Sequence, residues 1–446
     1  MKEAHPLEQT VGMELYSTDC DGIGGRLKTR YEDFLVEEIT VDNKLLKFKE
    51  WMKYPPGEPT LEGKKTKYVN FTVQKMGMST MDVSTIIASS LRLPRNLVSY
   101  AGLKDKRAVT VQRMSAPTRA ASGLGMLELS NIEIRDIEYS KQLVQIGDLL
   151  GNRFTILIRD LDVSLDKALE AAKEVQSSPL LNYFGIQRFG IARPNTHIAG
   201  KHLIKRDFEG MIRSILCIPG EYEAQELLDA RAEIADSLTP TEKIIDVFPK
   251  DLNYERTVMY ELMKHPGEFQ RAVTRITPRI LTLMVHAYQS FLFNQLLSKR
   301  VRSNISHVIP EPGDFLIALD ETHSGRDSWL YVTESTLEER RQQVSDMEYA
   351  LALPSPGYGT RLPPTKQSEM LKEILSSEGI EFKDFRNPHM RSIDAPGGLH
   401  RASITLSGWE ASIQDEGLLV KFSLRKGSYA TVVLRELMKN HPINRM

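Results

Sequence analysis

The sequence predicts an α+β fold in which a mixed sheet with a few helices is interrupted by a mostly helical segment. Three observations carry that expectation. Val69, Phe71 and Val73 alternate with Tyr68, Asn70 and Thr72, as do Phe154, Ile156 and Ile158 with Thr155, Leu157 and Arg159, which is the period of half-buried strands. No βαβ unit repeats around them, so a doubly wound parallel sheet is disfavoured. From about Asp207 the texture changes to long helical patterns, and near Arg401 it returns to strands. The expected organisation is a sheet domain made by 1–205 and closed by 404–446, with 206–403 inserted.

The elements follow in order. The stretch 80–91 lacks Gly and Pro, follows Ser79 as a cap, and spaces Val83, Ile86, Ile87 and Leu91 along one helical face. A similar pattern over 165–175, with Ser164 as cap, predicts a second helix. In the insert, Leu281, Met284, Tyr288, Phe291, Leu292 and Gln295 give 280–301 a helical period. The stretches 336–351 and 365–376 read as shorter, charge-laced helices on either side of the turn-rich 354–364. Strands are expected at 403–406 and 418–424, and a closing helix from about 429 to 439.

A chain of 446 residues has room for two to four domains at roughly 100–200 residues each. With 41% apolar and 26% charged residues, its composition is that of a folded globular protein. No apolar run approaches the ~18–20 residues needed to cross a bilayer, and 1–12 has no apolar stretch of the secretory kind, so the expected location is the cytoplasm. The two cysteines, Cys20 and Cys217, offer neither a disulfide framework nor a thiolate zinc site. The segment 22–25 fails the dinucleotide fingerprint because Leu27 stands where its last glycine belongs, and no phosphate loop or Gly-x-Ser-x-Gly elbow is present. The histidines are scattered, and the closest pair, His197 and His202, has no third ligand nearby, so no metal is expected. Chemistry is left to carboxylates, amides and rings.

Lys plus Arg number 58 against 59 acids, a net charge of −1, yet the charge is unevenly placed. Between Arg92 and Arg113 stand six basic residues and one acid, and between Tyr183 and Arg206 five basic residues and no acid, while 221–237 is acidic. Because charges are screened over ~8 Å at physiological salt, a distant acidic helix does not cancel a basic groove, and a polyanion partner stays open. Solvated faces are the plainer reading of the same runs.

Two stretches concentrate chemistry. In Ala101-Gly-Leu-Lys-Asp-Lys-Arg-Ala-Val-Thr110 one aspartate lies among Lys104, Lys106 and Arg107, and neighbouring cations favour its ionised form. Asp105 therefore reads as a nucleophile or base, or else as a turn cap paired with its neighbours. In Asn182-Tyr-Phe-Gly-Ile-Gln-Arg-Phe-Gly190, amides that read base edges and rings that stack on base faces lie between two glycines; a turn with core aromatics would look the same.

Together with Lys28-x-x-x-Glu32-Asp33-Phe34, Gly151-Asn152-x-Phe154-Thr155 and Gly427-Ser428-Tyr429-Ala430-Thr431, these stretches resemble, in order and across nearly the whole chain, the TruD family of pseudouridine synthases. Leu292-Phe293-Asn294-Gln295 and Ala352-Leu353-Pro354 resemble motifs of that family's inserted domain. The chain departs from the pattern at Tyr31 and Leu181, where Pro is usual, and at Ser355, where Gly is usual. Its long insert is similar to archaeal or eukaryotic members.

The resemblance implies a pseudouridine synthase fold: a mixed, mainly antiparallel sheet flanked by helices around a central cleft, with a mostly helical family-specific insert. It implies isomerisation of uridine in tRNA, typically at position 13 of the D arm, by a monomer without metal, cofactor, membrane or obligatory protein partner. The nucleophile it implies is Asp105. Phe34, Asn182 and Tyr429 fall at positions that contact the target base, and Lys28 and Phe184 at positions that line the pocket. Lys104 and Arg188 complete the expected substrate contacts. Two other readings use the same residues: a noncatalytic tRNA-binding or chaperone module, which needs the rings and basic segments but not Asp105, and a glycosidase-like hydrolase pairing Asp105 with Glu32 or Asp33.

Overall fold

The alternating segments form the middle of one mixed sheet. In the computed structural model, which describes residues 1–55, 57–59, 61–62, 64–319, 329–415 and 417–445, its strands run in the order Ser407–Gln414, Gly417–Arg425, Leu149–Leu161, Phe34–Thr40, Val109–Pro117, Tyr68–Met76, Ile132–Ser140. Two short strands attach at the sides, Gly24–Arg26 on Leu149–Leu161 and Ser99–Tyr100 on Val109–Pro117. Phe34–Thr40 and Val109–Pro117 pair in parallel, and the other neighbours are antiparallel. The fold is α+β, as the sequence predicts.

The chain groups into two compact units. One comprises Cys20–Leu180, Ile404–Asn440 and Asn444–Met446, and holds the large sheet. Val69, Phe71 and Val73 point into a core that Val83 and Ile87 of the helix Thr80–Ser90 share, together with Met114, Leu124, Ile132 and Ile134. Full burial of each large apolar side chain is worth about 1.5–3 kcal/mol, so this face fixes the register of the strand and the seat of the helix. Ser79 caps that helix as expected, its side chain accepting from the Asp82 amide. Ser164 stands at the corresponding position of Leu165–Ser177 but makes no capping bond. That helix is held by its buried stripe of Ala168, Ala171, Ala172 and Val175.

The other unit comprises Met1–Asp19, Leu181–Ser403 and His441–Ile443. Its long helix is Pro278–Arg302, and Thr365 caps the helix Lys366–Glu378. The single helix expected over 336–351 is instead a helix, Leu337–Ser345, followed by a strand, Tyr349–Ser355. The backbone turns at Met347, at φ 59°, and Ala350 to Pro354 is a buried apolar run. Such a run is compatible with either structure by period alone. This strand pairs with Phe315–Ala318 and Gly398–Arg401, and Trp329–Tyr331 joins Phe315–Ala318, giving a four-stranded sheet within the helical segment. The strand expected at 403–406 is limited to Ser403–Ile404. Among the described residues no helix is long and apolar enough to cross a membrane.

Candidate active site

The loop carrying Asp105 joins the strand Ser99–Tyr100 to the strand Val109–Pro117 and is tied down residue by residue. The Gly147 amide donates to the carbonyl of Ala101 at 2.8 Å. Gln112 Nε2 donates to the carbonyl of Gly102 at 3.2 Å, and the Lys104 amide donates to Thr80 Oγ1 at 2.9 Å. Thr80 Oγ1 in turn donates to Gln112 Oε1 at 2.9 Å, which closes a buried polar network. Lys75 Nζ donates to the carbonyls of Asp105, at 3.0 Å, and Met78, at 2.7 Å. A buried network of this kind rigidifies the backbone it holds.

The cation on Asp105 is neither of its neighbours in sequence. Lys28 Nζ lies 3.0 Å from Asp105 Oδ1; the lysine side chain is 5% exposed and the carboxylate 40%. Lys28 has a left-handed backbone, φ 56°, a conformation that costs a non-glycine residue roughly 1–2 kcal/mol. Its ammonium sits 4.5 Å from the centroid of the buried Phe34 ring, a cation–π contact. The expected enclosure by Lys104, Lys106 and Arg107 is thus corrected. Lys106 and Arg107 are exposed, and Lys104 is buried against Glu38 at 2.8 Å and Asn152 at 2.7 Å. A buried ammonium is costly unless it is paired, and Glu38 pairs this one.

Asp33 is not available as a second reacting carboxylate. Arg159 clasps it through two nitrogens at 2.7–3.0 Å, and the Arg30 amide donates to it at 2.9 Å. Burial alone would push its pKa up, but the bonds from Arg159 and Arg30 outweigh that and hold the carboxyl below the usual range. Glu32 is exposed. The glycosidase-like pairing loses one of its candidate partners. Tyr429 precedes the helix Ala430–Met438 in the same unit, and its side chain is 38% exposed.

Asn182, Phe184 and Arg188 belong to the other unit, where Asn182 and Phe184 form a second group around His400. Asn182 is fully buried, and its Nδ2 donates to the carbonyl of Arg401 at 3.0 Å and to His400 Nε2 at 3.1 Å. Close packing and the nearby Arg401 charge push the His400 imidazole down to about 3, so the ring is neutral and can accept. Phe184 stacks on His400, with ring centroids 4.3 Å apart, and meets the edge of Phe293 at 5.3 Å. Asn294 pins the Phe184 backbone on both sides, accepting from its amide at 2.9 Å and donating to its carbonyl at 3.0 Å. Leu353 faces His400 across the sheet, so both insert motifs buttress this group. Arg188 ends the turn Ile186–Arg188 and, after burial, helps push His286 below its ordinary value.

Sequence reasoning missed Lys75, Thr80, Gln112, Glu38 and His400. One of them carried a signal: Lys75 continues the inward alternation of Val69, Phe71 and Val73 and so places a charge on a core face.

The tRNA pseudouridine synthase D (TruD) family model matches residues 10–437. A probable tRNA pseudouridine synthase D of Thermococcus onnurineus is 32% identical over 430 residues, covering 96% of this chain and 97% of that protein. One of Methanosarcina acetivorans is 30% identical over 459 residues, covering 99% and 98%. A crystal structure from Methanosarcina mazei assigned as tRNA pseudouridine synthase D (TruD) superposes with a TM-score of 0.80 at 28% identity, covering 99% of this chain and 100% of that one. With its motifs in order, its fold matched and its length spanned, this chain belongs to the TruD family.

Proposed function

We propose that this protein converts uridine to pseudouridine in tRNA, at position 13 of the D arm, with Asp105 as the reacting carboxylate, and that it works in the cytoplasm as a monomer. The observation that carries the reading is an accessible carboxylate held through one oxygen by a buried lysine, on a loop whose backbone is anchored on both sides, in a chain of this family.

The reaction breaks the bond from N1 to C1′, turns the freed uracil, and joins C5 to C1′; C5 loses a proton and N1 gains one. An ionised Asp105 can serve either by bonding to C1′ or by removing a sugar proton to give a glycal. Both routes start from the charged carboxylate, whose Oδ1 lies 3.0 Å from the Lys28 ammonium. Extruding a base from a helix costs a few kcal/mol, and stacking on an aromatic ring returns about 1–3 kcal/mol. Tyr429 is the exposed ring proposed to receive the base, whereas Phe34, 1% exposed beneath Lys28, is proposed to support that lysine. Asn182 and Phe184 are assigned to the base and its pocket by motif matching, and Arg188 to the substrate. Lys104 is proposed to contribute by fixing the floor of the loop through Glu38 and Asn152.

The test is to incubate the purified protein with an unmodified tRNA transcript and map pseudouridine. A single new pseudouridine at position 13, lost when that nucleotide is cytidine, is expected. Product only at other positions contradicts the assignment of the site, and no product contradicts the activity.

A further inference from the structure

We propose that Lys75 is a positioning residue for catalysis, one that sets the direction of Asp105 by tying its backbone carbonyl to that of Met78 through one buried ammonium. This rests on Asp105 being the reacting group, and Lys75 itself does not touch the substrate.

The geometry is unusual for a lysine. Lys75 is 0% exposed and lies on the strand face occupied by Val69, Phe71 and Val73. A buried ammonium without acceptors is very costly, so its acceptors have to be fixed in place. Here they come from two segments: the turn after its own strand, through Met78 at 2.7 Å, and the reacting loop, through Asp105 at 3.0 Å. The other ties reach Ala101, Gly102 and Lys104; Lys75 holds the peptide of Asp105 itself. Since the Asp105 side chain is 40% exposed, the aim of its carboxylate depends on that peptide and on Lys28. Bonds from a charged donor are roughly twice as strong as neutral ones, and a misplacement of ~1 Å at a reacting group can cost ~10²-fold in rate.

The surroundings of Lys75 give the tie a pH range. The loop brings Asp105 and Lys104 near it, the helix Thr80–Ser90 brings Asp82, and the flanking strands place the uncharged Thr110 and Ile132 beside it. Burial lowers the ammonium from its ordinary 10.5 to about 8, with Asp105 and Asp82 opposing the shift and Lys104 reinforcing it. As pH rises through about 8 the charge, and the strength it gives both bonds, is lost. Stability moves the other way. Between the folded value of about 8 and the ordinary 10.5 the unfolded chain binds the proton that the folded chain releases, so the Lys75 contribution to stability rises with pH there. A lysine needed only for folding would not lower activity in that window.

The experiment measures single-turnover isomerisation at saturating protein against pH for the wild type, Lys75→Met, Lys75→Arg and Asp105→Asn, with thermal melts of each. The wild-type rate is expected to fall with a midpoint near pH 8 while the melting temperature shows no matching drop. Lys75→Met is expected to lose about 10–100-fold in rate with tRNA affinity little changed, and Lys75→Arg, permanently charged, to recover part of the rate and move the fall to higher pH. Lys75→Met within about twofold of the wild type, or an unshifted fall in Lys75→Arg, overturns the proposal while an inactive Asp105→Asn leaves the Asp105 reading intact. An active Asp105→Asn instead removes the reading beneath it. If neither Lys75 variant folds, a wild-type rate unchanged through pH 8 is the overturning result.

Discussion

Lys28 and Asp105 are 77 residues apart in sequence and 3.0 Å apart in space, and the pair is lopsided. The cation is buried on an aromatic face while the carboxylate keeps 40% of its surface. Held through one oxygen by a cation that cannot move, the carboxylate is fixed in direction while it stays open to solvent. The histidines of the other unit have the opposite emphasis. Burial lowers His197 to about 4, and packing with the Arg401 charge lowers His400 to about 3. Both values lie below the ordinary 6.5, so on acidification the unfolded chain takes up protons that the folded chain refuses. The stability these residues contribute is fully present above 6.5 and is lost progressively as pH falls toward about 4 and then about 3. The urea midpoint is expected to drop between pH 6.5 and 4.5, and less steeply in a His197→Gln/His400→Gln double variant. Equal slopes would contradict the assignment.

At the scale of elements, what the sequence made legible was what burial periodicity controls. The helix Thr80–Ser90 and its Ser79 cap were readable because cap chemistry and the Val83–Ile87 stripe are local. The strands Tyr68–Met76 and Leu149–Leu161 were readable at their centres, where one face is apolar, although both run further than the alternation showed. The strand Tyr349–Ser355 was not, because a run buried on both faces has no period and its partners at Phe315–Ala318 and Gly398–Arg401 are distant in sequence. The same limit governs the site. Asp105 stood out by composition, but its cation did not. Lys104, Lys106 and Arg107 were nearer in sequence, and only folding shows that Lys104 turns to Glu38 and that Lys28 arrives from another segment. Local sequence records which residues carry charge; pairing depends on the sheet register that brings Phe34–Thr40 beside Val109–Pro117.

For the whole molecule, a net charge of −1 conceals how the basic residues divide. In the first basic segment Arg92, Arg95, Lys106 and Arg107 are exposed. In the second, Arg193 turns inward to Glu255 at 3.0 Å and to the carbonyls of Ile215 and Ile218. Only the exposed members can meet phosphates. Each phosphate contact contributes about 0.7–0.9 to the slope of log affinity against log salt, so Arg92→Ala/Arg95→Ala is expected to flatten that slope and weaken tRNA binding. An unchanged slope would remove this segment from the RNA-binding surface. Binding of this kind is also what a noncatalytic tRNA-binding module would show, and Asp105 separates the two. The decisive comparison is pseudouridine formed by Asp105→Ala and by the wild type under single-turnover conditions, alongside tRNA binding at low salt. The account predicts retained binding with no detectable product; turnover comparable to the wild type would contradict it.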